Sequence, residues 1–390
     1  MLPRIYNKRE DIDTSRLRAF AEINLTNFKH NIEVISNMLD EDCEIVGVVK
    51  ANAYGHGAVE VASYFEGIGI KHFAVACISE GIELREGGIK NEIIVLGYTP
   101  VCQKEELIKY DLTQTLINES YAKKLSNIKG IVKGHIKLNT GMNRLGETKE
   151  HLEKIKNMYE LKNINITGIF SHLSRADSDL EEDIIFTRKQ IDKFNYIIDE
   201  LKLDNIELGE VHLQNSYGIV KYRDIHLDLA RPGIILYGVS CDPCDKILAN
   251  LPKNEKLKPV MSLRCKVAMV KEVEEGETIG YGNNFTVNEP MRIATVTLGY
   301  ADGFSRAVSK KDCKVLVHGQ FGRIIGNVCM DQMMIDISNI DDVKEGDIVT
   351  IFGQDGDNYL PVNQVSELSG TITNETLSCI GNRVKRVYHF

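Results

Sequence analysis

The chain has 390 residues, 43% hydrophobic and 26% charged, with a formal net charge of -9 at neutral pH. That composition belongs to a globular protein of one large or two ordinary domains, and its acidic balance, without any cluster of Lys and Arg, excludes a nucleic-acid surface. Nine cysteines, odd in number and irregularly spaced, read as reduced thiols of a cytoplasmic protein. No run of about 18 apolar residues offers a membrane span, and the N-terminus lacks the apolar core of a signal peptide.

In chain order, Phe28, Ile32, Ile35 and Leu39 fall at helical spacing behind a capping Thr26. The apolar run "IVGVV" follows and ends on Lys50, so a helix leads into a strand. Further β-rich runs recur between charged, helix-like segments: "HFAVACI" from His72, "EIIVLGY" from Glu92, "LTQTLIN" from Leu112 and "GHIKLN" from Gly134. The alternation continues through "NITGIFSHL" from Asn165, "GEVHLQNS" from Gly209 and "HLDLARPG" from His226. Eight strands alternating with helices predict an α/β fold, an N-terminal (β/α)8 barrel, with a doubly wound open sheet as the alternative. Beyond about Lys258, runs such as "MSLRCKVAMVKEVE", "RIATVTLGYADG" and "GDIVTIFG" are separated by glycine-containing turns. They predict a mostly-β domain over residues 251–390 after a barrel over residues 1–250, joined by the Pro-containing segment from Cys241.

In such a barrel the polar residues at strand ends converge on one mouth, where active sites gather. Lys50 ends strand one, Lys137 and Arg144 lie in and after strand five, His172 ends strand six, Asn215 and Ser216 end strand seven, and Arg231 ends strand eight. Each has an ordinary explanation: a lysine snorkelling at the rim, a satisfied barrel histidine, arginines in surface ion pairs. Their shared end is what those explanations leave out. The loops after strands seven and eight supply Ser216 and the amides of Gly233 and Ile234, a phosphate-binding arrangement. A lysine partly desolvated at a strand end has a lowered pKa and a neutral amine able to form a Schiff base, so the pair of features suggests pyridoxal phosphate. Gly55 and Gly57 in "YGHG" fit either a phosphate loop or a turn into the next helix, and "GIGIKH" lacks the third glycine of a dinucleotide fingerprint. Cys241 and Cys244 in "CDPC" have metal spacing but no second ligand pair, so they read as loop thiols and no metal is expected.

Taken together, "VVKANAYGHG", "KLNTGMNRLG", "GIFSHLSRAD", "QNSYG", "ARPGIILYG", "TIGYGNNF", "GYADGF" and "GNVCMDQMMID" resemble, in order and nearly end to end, the alanine racemase family of fold-type III pyridoxal-phosphate enzymes. The resemblance implies that Lys50 holds the cofactor and acts as base on the D-face, with Tyr281 of "IGYGNN" as the opposing base. Two bases are needed because one group returning its own proton would restore the original configuration. It also implies a homodimer in which Tyr281 reaches the other subunit's site, assisted by His172 and Arg231. Arg231 would face the pyridine nitrogen and, being unable to accept a proton, would keep that nitrogen unprotonated. Tyr54, Ser216, Gly233 and Ile234 match phosphate contacts; Arg144, Tyr300 and the Met330 amide match the substrate side; Lys137 matches a lysine that is carbamylated in some members.

Three positions depart from the family pattern. "TITNE" carries Asn374 where a tyrosine usually reaches the phosphate, which removes one contact, opens space and offers an amide to a substrate hydroxyl. Tyr217 follows Ser216 in place of the usual alanine, and together these two resemble the serine/alanine racemases of vancomycin resistance, whose catalytic domain follows a membrane domain. Asn139 stands where Asp is common, with no consequence legible in the sequence. The expectation is therefore an amino-acid racemase for serine and alanine that supplies D-amino acids for peptidoglycan precursors. It would be free-standing, or the cytoplasmic part of a membrane-anchored parent. The alternatives are a housekeeping alanine racemase, a non-catalytic cofactor-binding barrel, which Tyr281 argues against, and a fold-type III decarboxylase, which would lack "TIGYGNN" and "NVCMDQ".

Overall fold

A computed structural model describes residues 13–127, 129–241, 248, 251–309 and 311–390. Cys244 of the "CDPC" pair lies outside the described residues; Cys241 is half-buried. The chain forms two compact units, one of Ile32–Ala53 and Ala58–Leu236, the other of the described residues up to Asn31, Tyr54–Gly57 and Tyr237–Phe390.

Strand β1 (Ala19–Asn24) belongs to the second unit. The first unit holds β2 (Glu44–Val48), β3 (His72–Val75), β4 (Glu92–Val95), β5 (Thr113–Leu116), β6 (Val132–Lys137), β7 (Ile164–Phe170), β8 (Glu210–His212) and β9 (Leu229–Ala230). All pair in parallel and in sequence, and β2 pairs with β9 to close the barrel. The eight strands expected from the apolar runs are these eight. Residues such as Ile93, Ile94 and Val95 of β4 are fully buried, because a parallel strand has packing on both faces and its sequence becomes an apolar run rather than an alternation. The long helix Glu181–Leu203 shows the complementary pattern, burying Thr187, Gln190, Ile191, Phe194, Ile197, Ile198 and Leu201 along one stripe. Three acidic residues in its first turn and Lys202 in its last suit the helix dipole.

The second unit continues with β10 (Met261–Val273), β11 (Thr278–Ile279), β12 (Phe285–Thr286), β13 (Met291–Val296), β14 (Lys314–Val317), β15 (Gln320–Ile325), β16 (Met333–Asp336), β17 (Ile348–Asp355), β18 (Asn358–Leu360) and β19 (Lys385–His389). Nine of its strands make one sheet in the order β18, β17, β14, β15, β16, β13, β10, β1, β19. Because β17 also pairs with β10, six of them close into a ring. The N-terminal strand thus completes the C-terminal sheet, antiparallel to β10 and parallel to β19. Among the described residues no helix is long and apolar enough to cross a membrane.

Candidate active site

Lys50 lies two residues beyond the end of β2, at the start of a turn with unusual backbone geometry. Ala51, Asn52 and Ala53 all have positive φ, between 52° and 54°, and Tyr54 continues at 50°. These are left-handed helical angles, which cost an L-residue other than glycine or asparagine roughly 1–2 kcal/mol each. One tertiary and two local hydrogen bonds hold them: Ala51 N–H donates to Glu80 Oε1 (2.7 Å), Ala53 N–H to the Val49 carbonyl (2.8 Å) and Ala58 N–H to Asn52 Oδ1 (2.8 Å). Glu80 is itself braced by the Ala76 N–H at 2.7 Å. Strain of this kind persists only where the surroundings over-determine the backbone, and it concentrates at functional sites. Burial lowers the Lys50 pKa, the charges of Arg144 and Arg231 lower it further, and Glu80 opposes them. Its amine is biased toward the neutral, nucleophilic form.

Arg231 follows β9 directly and is buried inside the barrel. It donates from Nη2 to the carbonyls of Ser171 (2.6 Å) and Leu213 (3.0 Å), and from Nη1 to His212 Nδ1 (2.5 Å). Burial presses its pKa down to about 9, which still leaves the guanidinium charged at neutral pH. His172 Nδ1 lies 3.5 Å from Arg231 Nη2. The two Nη2 hydrogens serve the Ser171 and Leu213 carbonyls, so His172 makes the longest of the three contacts there. Burial first, then the charges of Arg231, Lys137, Arg144 and Lys50, hold His172 well below its usual range and keep it neutral. Lys137, the last residue of β6, is buried with its Nζ 4.5 Å from the centre of the Phe170 ring. Burial, Arg231 and Arg144 drive its pKa far down, so its amine is strongly biased toward the neutral form. Phe170 also carries Arg231 on its ring and stacks on His212 at 4.7 Å.

The Ser216 hydroxyl accepts a hydrogen bond from the Gly233 N–H (2.9 Å), which leaves its own proton available for an anion. Asn215 caps the helix Ser216–Lys221 through the Gly218 N–H and ties it to the Leu173 carbonyl. Ile234 begins the following turn, and Tyr217 is buried. Arg144 sits on a loop stapled by hydrogen bonds of 2.8 Å from Asn139 N–H to Glu147 O and 3.1 Å from Glu147 N–H to Lys137 O. Asn139 shapes that loop: its Oδ1 accepts from Gly141 and Asn143, and its Nδ2 donates to Asn143 Oδ1. A carboxylate could not make the last bond. This departure, silent in the sequence, is therefore a loop-shaping one.

The other residues belong to the second unit. Tyr54 packs 4.8 Å from the Tyr237 ring, and burial raises its pKa. Gly55 has φ +80°, and a Cβ there would lie 2.1 Å from the Leu377 carbonyl, so the "YGHG" glycine permits close packing against the helix Thr373–Ser378. Arg386 donates to the Gly55 carbonyl and Tyr388 to that of His56. The helix that Gly55 meets carries Asn374, whose buried Oδ1 has no hydrogen-bond donor. Tyr281 is 73% exposed on a turn whose carbonyl is held by Asn327 Nδ2 at 2.6 Å. Tyr300 and Met330 lie on adjoining turns linked by hydrogen bonds from Tyr300 N–H to Cys329 O and from Ala301 N–H to Met330 O. The buried Asp302, forked to Arg18, anchors the Tyr300 turn.

The barrel thus gathers Lys50, Lys137, Arg144, His172 and Arg231 into one electrostatically coupled group, with Ser216 and Gly233 bonded to each other. Tyr54, Tyr281, Tyr300, Met330 and Asn374 lie in the second unit, Tyr300 beside Met330. Glu80, Gln190 and His212 were missed in the sequence. Gln190 is buried, donates to the His172 carbonyl at 3.2 Å and accepts from Ser174 N–H and Oγ, holding the loop after β7. Its helical stripe position signalled only packing.

Two family descriptions match the chain, that of the alanine racemase N-terminal domain over residues 23–241 and that of the alanine racemase C-terminal domain over residues 260–388. Alanine racemase 1 of Clostridium acetobutylicum is 41% identical over 376 residues, 95% of each chain. An amino-acid racemase of Enterococcus faecalis is 40% identical over 94% of this chain, which spans only 51% of that protein's length. Among solved structures, the alanine racemase of Bacillus anthracis with bound L-Ala-P superposes with a TM-score of 0.88 at 32% identity, covering 96% of this chain and 95% of that one.

Proposed function

The chain belongs to the alanine racemase family of pyridoxal-phosphate isomerases, and on that premise we propose that it interconverts the L and D forms of alanine. The observation that carries the reading is Lys50, a desolvated amine set by an over-determined left-handed turn among Arg144, Arg231 and Glu80. These residues fit the cofactor: an amine for its aldehyde, a hydroxyl with a spare proton at Ser216 for its phosphate, and Arg231 as an obligate donor for its ring nitrogen. When bound, pyridoxal phosphate withdraws electrons from the bonds of the substrate's Cα and makes its proton removable.

The protein's own groups do the rest. Lys50 takes or returns the proton on one face of Cα, and Tyr281 serves the opposite face, which requires a homodimer if it serves a second copy's barrel. Arg231 keeps its proton and so restrains the electron withdrawal to what racemisation needs. Arg144 orients the substrate carboxylate, while Ser216 and Ile234 hold the phosphate. Gly233 N–H joins them by leaving the Ser216 hydroxyl. Lys137, buried and biased toward the neutral amine, has the chemistry to add to carbon dioxide and release a proton to solvent, leaving a carbamate whose negative charge would pair with Arg144.

A second reading, serine as a further substrate, is favoured by the Asn374 amide oxygen, buried without a donor. An acceptor left empty costs roughly 1–3 kcal/mol, and a substrate hydroxyl would relieve it. The test is steady-state conversion of L-alanine and L-serine, read by chiral chromatography of the products, in the parent, Lys50→Ala and Asn374→Tyr. D-alanine formed by the parent and not by Lys50→Ala is the expected result; no D-alanine from the parent would overturn the first reading. The serine-to-alanine ratio should fall in Asn374→Tyr, and an unchanged ratio would remove the second.

A further inference from the structure

The barrel interior holds a second polar system that the reaction does not use. Glu44, His72, Glu92 and Glu210 are the first residues of β2, β3, β4 and β8, so they cluster at the end of the barrel opposite Lys50. His72 Nδ1 lies 2.9 Å from Glu92 Oε2, and its Nε2 lies 3.1 Å from Glu44 Oε2 and 3.5 Å from Glu210 Oε1. Ionised carboxylates only accept, so both ring nitrogens donate and His72 is an imidazolium. Glu92 Oε1 accepts from the Thr113 hydroxyl at 2.7 Å, and 3.9 Å away stands Nε2 of the fully buried His135, which has no hydrogen-bond partner.

His135 leads back toward the site. Its Nδ1 is 2.9 Å from His212 Nε2, and His212 Nδ1 is 2.5 Å from Arg231 Nη1. The direction of every bond follows from one fact: a guanidinium has five N–H groups and no acceptor. His212 therefore accepts at Nδ1 and, being neutral, carries its proton on Nε2. That proton is donated to His135 Nδ1, so His135 is protonated on Nε2, the nitrogen facing Glu92. The reverse polarity would leave His212 with no proton at all. Burial holds both imidazoles neutral, with His135 pushed down to about 4.

We propose that Glu92 holds Arg231 from the opposite end of the barrel, through His135 and His212 as positioning residues of fixed tautomer, its carboxylate setting how strongly His212 accepts from the guanidinium. The relay lies wholly in the first unit, so it stands whichever amino acid is turned over. A carboxylate near the terminal N–H polarises the chain of hydrogen bonds and strengthens the one made by Arg231.

Neutron diffraction from the cofactor-loaded protein tests the polarity without any substitution. Deuterium on Nε2 of both His135 and His212, with none on Nδ1 of either, is expected; deuterium on Nδ1 of His135 or His212 would overturn the proposal. The coupling is tested by Glu92→Gln in protein labelled with 15N-histidine. The His212 ring resonances should shift although the substitution lies one imidazole away, and kcat should fall several-fold at unchanged KM. A His212 spectrum identical to the parent's, or losses in KM alone, would overturn it. Should Glu92→Gln not fold, Thr113→Val, which strips Glu92 of its hydroxyl donor, is predicted to move the same His212 resonances, and their constancy would count against the relay.

Discussion

Replacing Ala51 by glycine should stabilise the protein, the reverse of what glycine does inside an ordinary helix. Ala51 has φ 52° and ψ 51° and is solvent-exposed, so losing its methyl group removes strain without removing packing. The strain relieved is roughly 1–2 kcal/mol, against which the freer unfolded chain sets about 0.4–1 kcal/mol. A net gain of about 0–1.6 kcal/mol is expected in urea unfolding of the transition that reports the barrel. In a right-handed helix the same change costs about 0.8–1 kcal/mol, so the sign alone decides. Ala51→Val, with a β-branched side chain at positive φ, should lose more than 1 kcal/mol, since only bulkier strain is added. Because the turn sets the Lys50 amine, Ala51→Gly should also lower kcat several-fold despite the added stability. A glycine variant about 1 kcal/mol less stable, or a harmless valine, would refute the idea that tertiary bonds hold this turn against its local preference.

The His72 cluster gives stability a pH dependence with a definite sign. Burial lowers the His72 pKa, but Glu92, Glu210 and Glu44 outweigh it and leave it raised. The stabilisation is then complete below the unfolded imidazole value of about 6.5 and is lost as pH rises through the folded one. Urea unfolding should show the parent weakening as pH rises above the unfolded imidazole value of about 6.5, with His72→Asn less stable at pH 6 and flatter across the range. Tyr281→Phe should slow proton abstraction from L-alanine more than from D-alanine in solvent deuterium exchange, and equal losses would deny it the L-face role. Incubation with 13C-bicarbonate should give a carbamate carbon resonance absent from Lys137→Met, a substitution that leaves an apolar side chain where a buried neutral amine stood.

The barrel was legible because each of its strands is buried on both faces and reads as an apolar run. Strand β1 was not: its partners in β10 and β19 lie some 240 and 365 residues away, and nothing local in "AFAEIN" marks it. The left-handed turn was equally hidden, since "KANAY" holds no glycine and the bonds from Glu80, Asn52 and Val49 that hold its backbone form only in the fold. Lys50, His172 and Arg231 could be found as polar residues after apolar strands, whereas His135 inside β6 and His212 at the last position of β8 read as ordinary inward positions. Tyr281 and Asn374 carry no local signal and stood out only through resemblance. Asn139 gained its meaning from the structure, as the residue that folds the Arg144 loop.

That Lys50 holds the cofactor is tested most directly by borohydride reduction of the pyridoxal-phosphate-loaded protein followed by peptide mapping. The label should fall on Lys50 within "VVKANAYGHG" and should vanish, together with D-alanine formation, in Lys50→Ala. A label on Lys137, whose amine burial also biases toward the neutral form, or racemisation that survives the loss of Lys50, would contradict it.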